Sequence, residues 1–299
     1  MREAKIERAI PDLHERLLPD GGFVELPGSL YRVDATAWAI IALTLAGGSN
    51  ENTAAAARSR LAASQSKDGR ISISREYPQA CWPTALAVLA WQGSMAERNA
   101  HALGINFLLH TAGKQLKRTA DSPIADDPSI RGWPWIEDTF SWVEPTSLAL
   151  LALRTAGYGG HPRAQEAVRM LMDRQLPHGG WNYGNTVVYG HELYPQPGST
   201  GIALAALGGQ VDVAEIRKSL DYLRAQSELC RVPFSLCWAL IGLSAWREKP
   251  LESEPWILES LRLQRKYGAY ATSLLSLLIV SFLVDGDISN YFERSAAQK

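Results

Sequence analysis

The chain has 299 residues, 46% of them hydrophobic, and its 30 basic and 31 acidic side chains leave a formal net charge of -1. Charge this balanced and free of long runs gives no electrostatic footprint for DNA, RNA or an anionic membrane, so nucleic acid is not an expected partner. Cys81, Cys230 and Cys237 form an odd, unevenly spaced set without a Cys-x-x-Cys pair, which argues against a disulfide framework or structural zinc and for free core thiols.

Met1-Arg-Glu-Ala-Lys-Ile-Glu-Arg8 carries charge where a signal peptide needs an apolar core. The longest apolar stretch, 271–284, falls short of the roughly 20 residues that span a bilayer. The expectation is one soluble, cytoplasmic domain over residues 1–299, with no transmembrane segment.

In chain order, Leu17-Leu-Pro-Asp-Gly21-Gly-Phe23 sets a spacing that returns as Gln65-Ser-Lys-Asp-Gly69-Arg-Ile71, Gln175-Leu-Pro-His-Gly179-Gly-Trp181 and Gln264-Arg-Lys-Tyr-Gly268-Ala-Tyr270. Leu13, Leu61 and Leu171 precede the first three of these by four residues, one turn back on a helix face. Each unit therefore begins in a helix and ends in a glycine turn. Runs of small and aliphatic residues opening on Thr or Ser occupy 36–45, 84–91, 146–153, 200–207, 235–243 and 272–282. Being apolar all round, they read as helices buried on every side. Between them, 51–64, 97–109, 163–174, 213–226 and 254–264 mix charge with apolar residues at helical spacing, the pattern of outer helices with one wet face. Two connections, 111–140 and 182–197, are long, polar and aromatic, the kind of loop where function tends to sit.

Six such hairpins predict an all-α protein, an (α/α)6 toroid with apolar helices inside and amphipathic ones outside. An open array would need polar end caps, and the run from Thr272 is among the most apolar.

Leu171, Gln175, Gly179 and Trp181 resemble the repeat known as the QW motif. From about Leu13 to Leu283 the chain is similar to the squalene–hopene cyclases, oxidosqualene cyclases and related bacterial terpene cyclases, whose α/α toroid is shared with protein prenyltransferase β subunits. Those cyclases carry two toroids per subunit, and the resemblance covers one. It implies class II chemistry, in which an aspartic acid of an Asp-x-Asp-Asp-Thr motif protonates an alkene or epoxide and aromatic side chains stabilise the carbocations. At the corresponding place stands Trp142-Val143-Glu144-Pro145-Thr146, where Glu144 and Thr146 fit and the flanking carboxylates do not. Arg32-Val33-Asp34-Ala35-Thr36 offers Asp34 at the same place, again without acid neighbours.

Counting two residues back from each Thr or its equivalent gives Asp34, Trp82, Glu144, Gly198, Phe234 and Tyr270, an expected rim of aromatics with two acids. Either acid could instead cap its helix. Burial among aromatics would raise Glu144, whereas Arg32 favours an ionised Asp34, so Glu144 is the expected acid and Asp34 the counter-charge. The aromatic stretch 132–142 adds Glu137 and Asp138, which could share a proton beside Glu144, or point to water while the tryptophans plug the ring. Trp38, Trp82, Trp133, Trp135, Trp142, Trp181, Phe234 and Tyr270 complete the expected substrate surface. His178, His191 and Tyr194 are further polar candidates, although a lone loop histidine is more often a surface group than a base.

No Asp-x-Cys supports the prenyltransferase zinc, and Asp126-Asp127 runs into Pro128-Ser129-Ile130 instead of forming an Asp-Asp-x-x-Asp magnesium motif. No metal and no cofactor are expected. The resemblance implies a terpene-cyclase-like enzyme taking an isoprenoid or similarly apolar substrate by acid-initiated cyclisation. A non-catalytic isoprenoid carrier or scaffold is the alternative. Substrate, product, oligomeric state and any second subunit are not legible in the sequence.

Overall fold

The computed structural model describes Ile6 and residues 9–119 and 121–292. Its helices are α1 (Ala9–His14), α2 (Val33–Ala46), α3 (Glu51–Ala62), α4 (Pro83–Trp91), α5 (Arg98–His110), α6 (Val143–Leu153), α7 (Pro162–Asp173), α8 (Pro197–Leu207), α9 (Val213–Leu229), α10 (Pro233–Ala245), α11 (Ser253–Tyr267) and α12 (Thr272–Leu283). A short ribbon pairs β1 (Val187–Val188) with β2 (His191–Glu192), antiparallel. No helix among the described residues is long and apolar enough to cross a membrane.

The described residues divide into two compact units, those within 1–107, 251–284 and 291–292, and those within 108–250 and 285–290. In the first, α2 is central and packs against α12, α3 and α4. In the second, α8 is central and packs against α6, α10 and α9. Every residue of α4, and every residue of α8 after Pro197, is buried, as the all-round apolar runs predict. Small residues let these helices approach closely: a Cβ on Gly201 of α8 would overlap the backbone of Trp238 in α10. Prolines open α4, α8 and α10, where the missing N–H costs nothing and φ is already helical.

Three of the four recurring motifs form a joint of one geometry, whereas in the fourth the Gly268 N–H donates to Gln264 O at 3.0 Å at the end of α11 and a Cβ on Gly268 would meet nothing within 4 Å. In three copies the first turn residue accepts from the glycine N–H and donates to the carbonyl four residues on: Leu18 with Gly21 and Gly22, Ser66 with Gly69 and Arg70, Leu176 with Gly179 and Gly180, all at 2.8–3.0 Å. The glycines have φ of +87°, +94° and +99° and lie on the backbone of the following outer helix. A Cβ on Gly69 would overlap the Leu103 carbonyl, and one on Gly179 would come within 2.6 Å of Lys218 C. The glutamine amide ties the turn to that helix, through the Ala100 carbonyl for Gln65 and the Ser219 hydroxyl for Gln175.

A threonine in the next inner helix completes the joint. The backbone N–H of Phe23 donates to Thr36 Oγ1, that of Ile71 to Thr84, that of Trp133 to Thr146 and that of Trp181 to Thr200, each at 2.9 Å. In the α12 hairpin the direction reverses, with Thr272 Oγ1 donating to Val24 O at 2.6 Å and Thr272 N to Glu25 O at 2.8 Å.

In the second unit the two long connections are laced together. Ala125 N donates to Val187 O at 3.1 Å, Tyr189 N to Pro123 O at 2.7 Å and Thr186 N to Asp126 Oδ1 at 3.1 Å. Arg163 anchors the 111–132 segment by donating to the Thr111 and Gly132 carbonyls, with its guanidinium 3.5 Å from the Trp133 ring centroid.

Gly69→Ala combines a left-handed φ with a backbone overlap and should cost about 2–4 kcal/mol. Gly268 has φ +99°, and a Cβ added there would meet nothing within 4 Å. Gly268→Ala should therefore cost about 1–3 kcal/mol, from conformation alone. Urea denaturation of the two variants checks the difference.

Candidate active site

Glu144 is the second residue of α6, and the connections position it. Trp142, extended at the helix entry, donates its N–H to Trp133 O at 3.1 Å, and Val143 donates to Tyr183 O at 2.9 Å. The entry to α6 is thus stitched to the 111–140 connection on one side and the 182–197 connection on the other. Trp142 occupies the cap position and no side chain caps this helix, so Glu144 is not spent as a cap. The Glu144 side chain is half-buried, and among the described residues it makes no hydrogen bond or ion pair. Burial alone pushes its carboxyl above the ordinary glutamate range.

The acids of the 132–142 stretch stand differently. Ile136 and Thr139 close a turn by backbone and hydroxyl hydrogen bonds of 3.1 and 2.6 Å. Asp138, at φ +61°, is exposed on that turn, while Glu137 is half-buried. Trp135 is half-buried. Trp133 and Trp181 lie wholly inside the wall of the unit, with indole N–H groups donated to Leu108 O at 3.1 Å and Leu171 O at 2.7 Å. These two rings are held in the joints and offer no open face. Phe234, the second residue of α10, is 44% exposed and faces Gly198, the second residue of α8, so equivalent positions of neighbouring inner helices do meet here. Trp142 also borders a cavity of about 320 Å³ with Tyr183, Leu193, Tyr194 and Gln196. His178 is exposed and paired with Glu192 at 2.5 Å, and His191 is exposed.

In the first unit, Asp34 is the second residue of α2 and is buried. Arg32 grips it through two parallel hydrogen bonds, Nε to Oδ1 at 2.9 Å and Nη2 to Oδ2 at 2.8 Å. The hydrogen bonds to Asp34 raise the Arg32 guanidinium further above its ordinary value, as expected for a charged fork. Trp38 is buried in α2, Trp82 is half-buried just before α4, and Tyr270 is half-buried with its N–H on Gln264 Oε1 at 3.1 Å.

Glu25 is an acid that no motif or spacing singles out. It follows the first glycine turn, and its hydroxyl partner Ser273 comes from the far end of the chain. Burial raises its carboxyl, the Ser273 bond opposes this, and the neighbouring Asp34 charge adds to the rise. Among the described residues, no group of three or more His, Cys, Asp or Glu side chains is arranged to hold a metal ion.

No protein-family model matches the chain, and no curated protein matches it in sequence. Solved structures do match in fold. An inactive variant of α-1,6-mannanase GH76A from Salegentibacter gives a TM-score of 0.65 at 10% identity, covering 95% of this chain and 99% of that one. A protein from Actinoplanes gives 0.61 at 16% identity, covering 99% of both. A variant of the type II terpene cyclase MstE from Scytonema gives 0.59 at 11% identity, covering 97% and 98%. Another MstE variant, in complex with its substrate geranylgeranyl dihydroxybenzoate, gives 0.56 at 12% identity, covering 100% and 99%. At these identities the likeness shows the fold alone, the all-helical α/α toroid.

Proposed function

We propose that this chain is a class II terpene-cyclase-like enzyme acting on an isoprenoid or similarly apolar substrate, with Glu144 as the proton donor. The observation that carries this reading is the half-buried Glu144 carboxyl, which lacks a polar partner among the described residues and is raised by burial at the head of an inner helix. Protonating an alkene needs a carboxyl in its acid form, which burial favours and a neighbouring cation would oppose. Asp34 has such a cation in Arg32, so the fork is a fixed charge pair and not a proton source.

In the proposed step the Glu144 O–H bond breaks as a C–H bond forms at one alkene carbon, leaving a carboxylate and a carbocation on the other. Cyclisation moves the cation along the chain, and loss of a proton from the last cation restores the proton count. Trp142 and Phe234, both partly accessible in the same unit, are proposed to face the developing charge with their π clouds. Likeness to MstE supports the reading through fold, whereas likeness to a mannanase of the same fold shows that fold does not choose the chemistry. A second reading, a binding toroid without turnover, draws on the missing carboxylates at Trp142 and Pro145.

Glu144→Gln should fold and lose at least about 100-fold in turnover of a geranylgeranyl-bearing substrate, with product read by mass spectrometry. Wild-type stabilisation by that substrate with no product would favour the binding toroid.

The same carboxyl predicts a pH dependence of stability. Its folded value lies above its unfolded value, so its contribution is full below the ordinary glutamate range and is lost as pH rises through the raised value. Glu144→Gln should therefore gain stability relative to wild type as pH is raised from the ordinary glutamate range to neutrality, as measured by urea denaturation at each pH.

A further inference from the structure

We propose that the cleft between the two long connections of the second unit binds a small oxyanion carrying an apolar body, a carboxylate or a phosphate. Such binding is independent of whether Glu144 transfers a proton. The cavity has a volume of about 220 Å³. Its walls are apolar and aromatic, formed by Leu116, Ile124, Phe140 and Trp142 among others. A concave, mostly apolar space with a few placed polar groups is the usual form of a small-molecule site.

The walls are fixed by backbone hydrogen bonds. Lys114 N donates to Thr139 O at 2.7 Å, Leu116 N to Pro128 O at 3.1 Å and Ala125 N to Val187 O at 3.1 Å. Trp142 lies against Gly184, where a Cβ would approach its ring to 3.2 Å. Such a cleft is held open by its frame and need not be formed by the ligand.

Charge selects the ligand. Asp126 and Arg174 line the cavity as a buried ion pair, and Asp126 Oδ1 also accepts from Thr186 N at 3.1 Å. Burial lowers the Arg174 guanidinium to about 10, which leaves it charged at neutral pH and opposite in sign to its partner. With that pair neutralised, the remaining charge on the lining is the Lys114 ammonium, which is exposed and makes no ion pair among the described residues. Lys117 and Arg118 follow on the same segment. Ser141 and Asn185 supply hydrogen-bonding groups at the same cleft. A neutral apolar molecule would fill the walls and leave the cation unused. An oxyanion on an apolar body uses both.

Titration of the full-length protein with octyl phosphate, octanoate and octanol, followed by tryptophan fluorescence and calorimetry, tests the inference. Both anions should bind more tightly than octanol, and the tighter of the two identifies the headgroup. Lys114→Ala, at an exposed position, should weaken anion binding about fivefold and leave octanol unchanged. Leu116→Trp, which fills the cleft from its exposed rim, should remove binding of all three. Equal affinity for octanol and the anions, no response to Lys114→Ala, full binding by Leu116→Trp, or no binding of either anion would each overturn the proposal.

Discussion

The threonine-to-turn hydrogen bond is the interaction on which the rest of the structure depends. An inner helix that is apolar on every side has no polar face to fix its rotation or depth, and hydrophobic burial is not directional. The 2.9 Å bonds from Phe23, Ile71, Trp133 and Trp181 to threonine hydroxyls supply that missing direction. All four threonines are fully buried, so an amide deprived of its hydroxyl would be left unsatisfied in a dry place, at about 1–3 kcal/mol. The glycine turn then fixes the other side, by letting the chain lie on the next outer helix closer than any side chain would permit.

Rigid joints place the second residue of each inner helix in a defined position. That is why Glu144 and Asp34, in different units, occupy equivalent helical positions and yet differ in character. Asp34 is preceded two residues earlier by an arginine whose fork closes on it, whereas Glu144 is preceded by Trp142, which has no charge to offer. The same helical position thus holds a forked ion pair in one unit and a carboxyl raised by burial in the other. The two long connections, stitched to the entry of α6, make that surrounding possible and frame the cavities that Trp142 borders.

Much of the fold was legible in the sequence because it rests on local patterning. All-round apolar runs beginning on Thr or Ser became the inner helices, though five of the six start one to three residues earlier than that threonine or serine suggests, three of them on Pro83, Pro197 and Pro233. The glycine spacing marked three joints, at Gly21, Gly69 and Gly179, and its fourth occurrence, at Gly268, ends α11 without forming one. The joint at Trp133 escaped that pattern because Asp127 stands where the glutamine would and Arg131 where the turn glycine would, although Trp133 precedes Thr146 by the same thirteen residues that separate Phe23 from Thr36 and Ile71 from Thr84. The candidate site was less legible. Trp133 and Trp181 look like cavity aromatics in a composition count, but their ring nitrogens are consumed within the walls. Glu25 owes its environment to Ser273, 248 residues away, and Asp126 owes its ion pair to Arg174 across the connection. Neither partnership leaves a trace in local spacing.

Native-state hydrogen exchange at the Phe23, Ile71, Trp133 and Trp181 amides tests the central claim most directly. If the threonine joints hold the inner helices, these four loop amides should be protected as strongly as the amides inside α2 and α8, opening only with the unit that contains them. Exchange of these amides at the rates of ordinary exposed turns, while the inner helices stay protected, would contradict that role for the joints.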